Sequence, residues 1–567
     1  MNVALCPINS SFAQSCLPSV IIETELQKVC KTSIVSFNIN MRPMEIVQQL
    51  ADLDAELYLF SCYIWNVETI AHVVSDLKKI KKCIIAVGGP EITASPRRAL
   101  AKMPEVDFVI AGEAELVIRN FVCCLIAGEN PAYLPNVFTH SAPNKPVLEQ
   151  ISFFPDRLFP YNPENVAGHL DTVIYYETMR GCPHNCTYCT SSKDRRLWFV
   201  PISKVKNELS FFIQHRAKLV KFVDRTFNTD LERAKDIISF ILENNISTCF
   251  HLELRLDECD NELVEMLASS PYGWIQVEAG LQSINPHALR AVKRFHKYSI
   301  FTNNMAKLCR NSNIRVHSDI IAMLPNETFS STLAAIDYLV GLGTHIIQLG
   351  FLKILPGTPL SRETERFGIV CSEYPPYEVF STKSTSYDEY SQLKKIAFII
   401  NKYYNSGSFT ETLARIFALY NILPQSFFAG LASYFDENGL IGRDLSKKSL
   451  YEHLFDFMYT KGFECYEELA YDYLRSVSLV LPPYLEHAVQ PASKEDAFDF
   501  IKDNSNALTA FGSLEGLAAK EKYKKIAIVC FPKMFGEEMI VFVDEPEEKV
   551  YSKRKCVPAS QLTAPAN

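Results

Sequence analysis

The feature that most restricts how this chain can fold is a repeated alternation of short apolar runs with stretches of helical period. In the first block the apolar runs are Val3–Leu5, Ser33–Phe37, Glu56–Phe60, Cys83–Val87 and Val106–Ile110. Helical stretches Pro18–Cys30, Met44–Asp52 and Val67–Lys79 lie between several of them. Strands alternating with helices imply a parallel sheet covered on both faces, because each crossover lays a helix across the sheet. Ligands of such sheets sit outside the carboxyl ends of the strands. The loops there are Asn9-Ser10-Ser11, Ser61–Asn66, Gly88-Gly89-Pro90-Glu91 and Gly112-Glu113. Taken alone, their glycines read equally well as tight turns.

After a Pro-bearing stretch with little periodicity the alternation resumes. Strand candidates are Val173–Glu177, Leu219–Val223, Phe250–Leu254, Trp274–Val277, Ile314–Ile321 and His345–Phe351, with helices such as Lys204–His215 and Leu231–Asn244 between them. Consecutive βα units with polar groups at their strand ends predict a partial parallel barrel. From about residue 385 the pattern becomes mainly helical and aromatic, with strand-like runs at Ile526–Phe531 and Met539–Val543. The expected fold class is therefore α/β. A flavodoxin-like doubly wound sheet (1–135) and a linker (136–170) precede a six-stranded partial barrel (171–385), a mainly helical domain (386–548) and a polar, disordered tail (549–567).

Size and charge narrow the function classes. At 567 residues and 48% hydrophobic composition the chain can bury several cores. Net charge is -8, and no dense Lys/Arg stretch offers the footprint that nucleic acid requires. No signal peptide or membrane-length apolar stretch is read, so a cytoplasmic protein without membrane association is expected. The 17 cysteines are odd in number and scattered, which suits reduced, buried thiols better than a disulfide framework.

One cysteine group is spaced for chemistry. Gly181-Cys182-Pro183-His184-Asn185-Cys186-Thr187-Tyr188-Cys189 follows the first strand of the second block. The spacing C-x3-C-x2-C lets one loop wrap three corners of an iron–sulfur cubane and leaves the fourth iron open to a small molecule. Zinc is the alternative reading, but a closed zinc site takes four ligands, and no second Cys or His pair is near; His184 sits awkwardly inside the loop.

These residues resemble the radical S-adenosylmethionine (radical SAM) superfamily. The resemblance implies a [4Fe-4S] cluster on Cys182, Cys186 and Cys189 that cleaves SAM to methionine and a 5′-deoxyadenosyl radical. Tyr188 stands where the family commonly has an aromatic residue near the adenine, and Thr178-Met179-Arg180-Gly181 fits its approach to the loop. Further matches lie at later strand ends: Val223–Asn228, Phe250–Glu253, Glu278-Ala279-Gly280-Leu281-Gln282-Ser283, Asp319–Glu327 and Gln348–Lys353. Tyr188, Asp224, Arg225, Glu253, Glu278 and Gln282 are the candidate contacts to SAM or substrate. Each has a structural alternative as a paired carboxylate, its cationic partner or a capping amide.

With this barrel behind it, the first domain resembles the cobalamin-binding domain of class B radical SAM proteins. Ser61, Tyr63, Trp65, Gly88, Gly89, Gly112 and Glu113 are its candidate cofactor contacts. The D-x-H-x-x-G motif that supplies an axial histidine elsewhere is missing, and His72, the only histidine before His140, lies on a helical stretch. The resemblance implies methyl transfer to an unactivated carbon of a small-molecule or peptide substrate, with an electron donor such as flavodoxin or ferredoxin. Two alternatives stay open: a cobalamin-free enzyme that closes rings or rearranges skeletons, and a methylthiotransferase with a second cluster drawn from Cys6, Cys16 and Cys30. The segments Lys353–Thr358 and Pro375–Val379 most resemble an uncharacterised bacterial group in which a domain of unknown function follows the barrel.

Overall fold

The computed structural model describes residues 1–11, 14–140, 159–167, 172–193, 195–310, 313–546 and 553–563. These fall into two compact units, one of residues 1–332 with 350–387, the other of residues 333–349 with 388–567.

The first unit opens with strands β1 (Asn2–Leu5), β2 (Lys31–Ile34), β3 (Leu57–Ser61), β4 (Ile84–Gly88) and β5 (Phe108–Ile110), in the order β2-β1-β3-β4-β5. All four pairings are parallel. This is the flavodoxin-like order, which places its crevice where the order reverses, between β1 and β3. β3 is buried on both faces because helices cover each side. One of them, α1 (Val67–Ile80), buries Ile70, Val73, Val74 and Leu77, a single stripe at helical spacing.

A sixth strand, β6 (Val137–Phe138), adds antiparallel to β5. It lies inside the stretch expected to be a linker, and its two apolar residues are too few to show any period. Residues 141–158 and 168–171 of that stretch are outside the described residues.

The second sheet runs in chain order through β7 (Val173–Tyr176), β8 (Leu219–Phe222), β9 (Cys249–Glu253), β10 (Ile275–Glu278), β11 (Arg315–Ala322) and β12 (Ile346–Phe351). The register sets Lys221 beside His251, Glu253 beside Glu278, and Glu278 beside His317. Side chains alternate across a sheet, so these polar residues and Asp319 share one face. Phe222, Phe250, Leu252, Val277 and Val316 take the other, and each is fully buried.

The second unit is helical from Thr410–Tyr420 to Tyr466–Ser476 and packs aromatic rings edge to face around Phe427, Phe435 and Tyr451. Its last part is a four-stranded antiparallel sheet, with Met539–Pro546 at its centre. The tail expected to be disordered supplies the edge of that sheet: Arg554–Pro558 pairs with Met539–Pro546, and a short helix, Ala559–Thr563, follows. Backbone pairing to an existing strand orders a segment that polar composition alone would leave free. Residues 549–552 and 564–567 lie outside the described residues. Among the described residues no single helix is long and apolar enough to cross a membrane.

Candidate functional site

The cysteine loop leaves the end of β7 and is tied down at both sides. Asp224 accepts backbone hydrogen bonds from Thr178 (2.7 Å) and Met179 (3.1 Å), and a third from the Thr178 hydroxyl. The Thr187 amide donates to Val292 (3.0 Å), and the Leu360 amide donates to Thr187 (3.0 Å). Cys182 and Cys186 are buried, Cys189 is half-buried, and none is in a disulfide. Burial pushes the Cys182 thiol up, and its two neighbouring cysteines add to the shift. Three bare thiolates are disfavoured there, while cationic iron would stabilise them, so the donor set fits the cluster.

Among the described residues no group of three His, Cys, Asp or Glu side chains could hold a single metal ion. A cubane does not require such convergence, because each thiolate takes a different iron. His184 is turned away from a ligand role: its Nδ1 is 3.1 Å from Arg255, which also binds Asp257. Burial, with Arg255 beside it, lowers His184 to about 4, so it is neutral at pH 7 and its 3.5 Å approach to Glu258 is no ion pair. Cys6, Cys16 and Cys30 lie in three separate loops, after β1, before the Leu17–Leu26 helix and before β2.

The barrel mouth carries the other candidates. Burial opposes ionisation of Glu278, but a hydrogen bond from His251 (2.9 Å) and an ion pair to Lys221 (3.0 Å) outweigh it and hold the carboxyl at about 2. Glu253 lies 3.7 Å from the same Lys221, and burial together with Glu278 pushes its carboxyl up. Asp319 is pushed to about 7 by burial and by Glu278 and Glu253.

Gln282 has a positive φ of 67° and joins β11 through backbone bonds to Asp319 and Ile321. Its side-chain oxygen is buried without a hydrogen-bond partner among the described residues. An orphaned acceptor of this kind, at the end of a barrel strand, fits a polar guest such as SAM. Arg294 links the two: it donates to Gly280 (2.6 Å), and its field acts on Tyr188 and Cys186.

The sheet loops are shaped from within. Asn66, fully buried, donates to Ile8 and Ser61 (both 2.9 Å) and accepts from the Tyr63 amide (2.7 Å), which fixes the turn that presents Tyr63 and Trp65. Those two rings stack at 4.4 Å and 7°. Gly89 has φ 109°, and a Cβ there would stand 2.5 Å from the Cys62 carbonyl oxygen. Its glycine is thus required by loop-to-loop packing as well as by the turn.

Between the sheet loops and the barrel mouth, inside the first unit, lies a cavity of about 740 Å³. Ser61, Tyr63, Trp65, Gly88, Gly89, Gly112 and Glu113 all line it, together with Arg225 and Glu253 from the barrel side. A volume in this range suits a cofactor-sized guest, and the close-approach glycines and flat stacked rings fit a large planar ligand such as cobalamin. A second cavity of about 270 Å³ shares Glu177, Arg180 and Arg225 with the first and reaches Gly181 of the cysteine loop.

Tyr188, Glu278, Gln282 and the three cysteines do not line the main cavity. Asp224 does not either: its carboxylate is engaged in holding the entry to the loop. Sequence reasoning gave no role to Arg180, Lys221, Arg255 or Arg294. Lys221 and Arg255 stand at alternating positions on or just past predicted strands, which was the available signal; nothing in the spacing marks Arg294.

Comparison with known proteins finds three domains along the chain. Residues 24–122 match the B12 binding domain, residues 176–339 the radical SAM superfamily, and residues 365–548 a protein of unknown function, DUF4080. An uncharacterized methyltransferase of Pyrococcus horikoshii is 24% identical over 310 residues, 52% of this chain and 66% of that protein. The cobalamin-dependent radical SAM methyltransferase TokK of Streptomyces tokunonensis is 24% identical over 354 residues, 57% of this chain and 51% of TokK. The chain thus spans between half and two thirds of these relatives' lengths. The structure of OxsB, a cobalamin-dependent S-adenosylmethionine radical enzyme, with aqua-cobalamin bound has a TM-score of 0.56 at 14% identity, covering 83% of this chain and 79% of OxsB. That of the methyltransferase TsrM from Kitasatospora setae, with cobalamin and a [4Fe-4S] cluster bound, has a TM-score of 0.54 at 14% identity, covering 66% and 78%. At this identity the two structures establish a shared fold. The chain carries a B12 binding domain ahead of a radical SAM domain, with a [4Fe-4S] cluster, SAM and cobalamin as its cofactors.

Proposed function

We propose that this protein transfers a methyl group to an unactivated carbon of a small-molecule or peptide substrate. The observation that carries the reading is a cavity walled at once by the sheet loops and the barrel mouth. A substrate held there would face both cofactors. When bound, the cluster and SAM supply a 5′-deoxyadenosyl radical, and methylcobalamin supplies the methyl group. The chain's own part is placement and exclusion. Asp224 and the Val292 and Leu360 backbone hold the cysteine loop, Gln282 offers its free acceptor to SAM, and a substrate seated in the mouth would itself keep water and stray hydrogen donors from the reactive carbon. The relatives that act as methyltransferases favour methyl transfer over ring closure. Electrons would come from a flavodoxin- or ferredoxin-class donor.

The test is anaerobic reconstitution with iron, sulfide and hydroxocobalamin, followed by SAM, reductant and a panel of small-molecule and peptide acceptors. Methyl transfer yields 5′-deoxyadenosine and S-adenosylhomocysteine together, because one SAM forms the radical and another re-methylates the cofactor. Deoxyadenosine without S-adenosylhomocysteine would move the assignment to cobalamin-free radical chemistry.

A further inference from the structure

Arg180 stands two residues ahead of Cys182, and its guanidinium engages three carboxylates. Nε and Nη2 donate to Glu177 at 3.1 and 2.8 Å, while Nη1 lies 2.6 Å from Glu115 and 3.1 Å from Glu113. Glu177 ends the first barrel strand, whereas Glu113 and Glu115 belong to the loop after β5 of the sheet. Arg180 and all three carboxylates line the main cavity. One rigid fork therefore spans from the cysteine loop to the cofactor loops, and a planar guanidinium does this as a point-charged ammonium cannot. Without it, three carboxylates would face each other unopposed.

We infer that Arg180 is a positioning residue that sets the sheet's cofactor loop against the cluster loop, so that the cavity is shaped for cobalamin only while the clamp is closed. The inference rests on the reading that cobalamin occupies this cavity. A second link provides the control. Tyr377, in the segment after β12, donates to Glu91 of the Gly88–Glu91 loop and joins the same two halves of the first unit without touching the cysteine loop or Arg180.

The experiment uses the full chain, anaerobically reconstituted, with hydroxocobalamin as the probe. Iron per chain, hydroxocobalamin affinity and melting temperature are measured for Arg180→Met, Arg180→Lys and Tyr377→Phe. Arg180→Met is expected to keep its iron, to melt at a lower temperature because three carboxylates lose their partner, and to bind hydroxocobalamin about tenfold more weakly, as loss of a charge-assisted bond gives. Arg180→Lys should fall between it and wild type. Adding Glu113→Gln and Glu115→Gln to Arg180→Met should recover part of the affinity by removing the unopposed charge. Wild-type affinity in Arg180→Met overturns the inference. So does a loss in Tyr377→Phe that matches Arg180→Met in both melting temperature and affinity, since that pattern marks general support. If wild type binds no hydroxocobalamin, the functional reading fails and takes the inference with it.

Discussion

On its sheet side the cavity is met by Gly88, Gly89, Gly112 and the stacked Tyr63 and Trp65 rings; on its barrel side it is met by Glu177, Arg180, Lys221, Arg225 and Glu253. The sheet wall works by shape. Its backbone comes close because Cβ atoms are missing, and its conformation is fixed by Asn66 and by contacts between loops. The barrel wall works by charge, and most of its charges are already matched: Lys221 with Glu278 and Glu253, Arg180 with Glu113, Glu115 and Glu177. A wall of shape suits a large rigid ligand and fails when bulk is added. A wall of charge suits polar groups and fails when one partner is removed, because the others remain buried and unpaired.

The cysteine loop gives the largest expected effect, since it belongs to neither wall. Replacing Cys182, Cys186 and Cys189 together by Ala should abolish cluster iron and all SAM cleavage while the melting temperature stays close to wild type. The loop is held by Asp224 and by backbone bonds that the substitution leaves in place. Iron-sulfur absorbance surviving in the triple variant would put the cluster elsewhere.

Next comes the sheet wall. Gly89→Ala must place a Cβ against the Cys62 backbone at a φ of 109°, and a cost of about 2–3 kcal/mol is expected from strain of this kind. Gly128→Ala, also at positive φ (73°) but with open space around it, should cost less. Equal losses in urea unfolding would show that backbone conformation, and not close packing, makes the wall.

The carboxylates coupled to the barrel wall, just outside the cavity, should reveal its charge through pH. Asp319 titrates near 7 in the folded protein against an ordinary 3.8, so the folded state holds the proton more tightly than the unfolded chain. That contribution to stability is full below about pH 4 and is lost as pH rises through about 7. Glu278 runs the other way, since its folded value of about 2 lies below the ordinary 4.5, and its contribution disappears only in strong acid. Asp319→Asn should therefore flatten the decline between about pH 4 and 7 and raise stability above pH 7 by on the order of 1 kcal/mol. An unchanged slope in urea unfolding would mean that the carboxyl is not crowded by Glu278 and Glu253.

The two walls were not equally legible in the sequence. Strands buried on both faces, such as Leu57–Phe60, show as apolar runs, and the five parallel strands of the first sheet were located within two or three residues. The three cysteines were legible because their spacing has chemical meaning within one loop. Asp224 was a candidate for contact with SAM or substrate, yet it is spent on Thr178 and Met179, since a strand-end carboxylate in sequence does not reveal which way it turns. Arg294 and Arg180 act across long separations and leave no periodic trace. The short strands Val137–Phe138 and Arg554–Pro558 owe their order to the partners they pair with, which local composition cannot express.

The smallest expected effect tests the sheet wall most directly, because it predicts none. If that wall recognises cobalamin by shape, the cobalt has no imidazole to take from its described residues: among these no histidine lines the cavity, and His72 is exposed on α1. His72→Ala should leave both the retention of hydroxocobalamin through gel filtration and its visible spectrum unchanged, in the reconstituted full chain. The outcome separates two pictures of the wall. A shifted cobalt spectrum would mean that His72 reaches the metal, which requires α1 to leave the sheet and expose Ile70, Val73, Val74 and Leu77, all now fully buried. Exposing four such side chains costs on the order of 1.5–3 kcal/mol each, more than a single axial bond is expected to return. The sheet can therefore keep its helix packed only while His72 stays away from the cofactor.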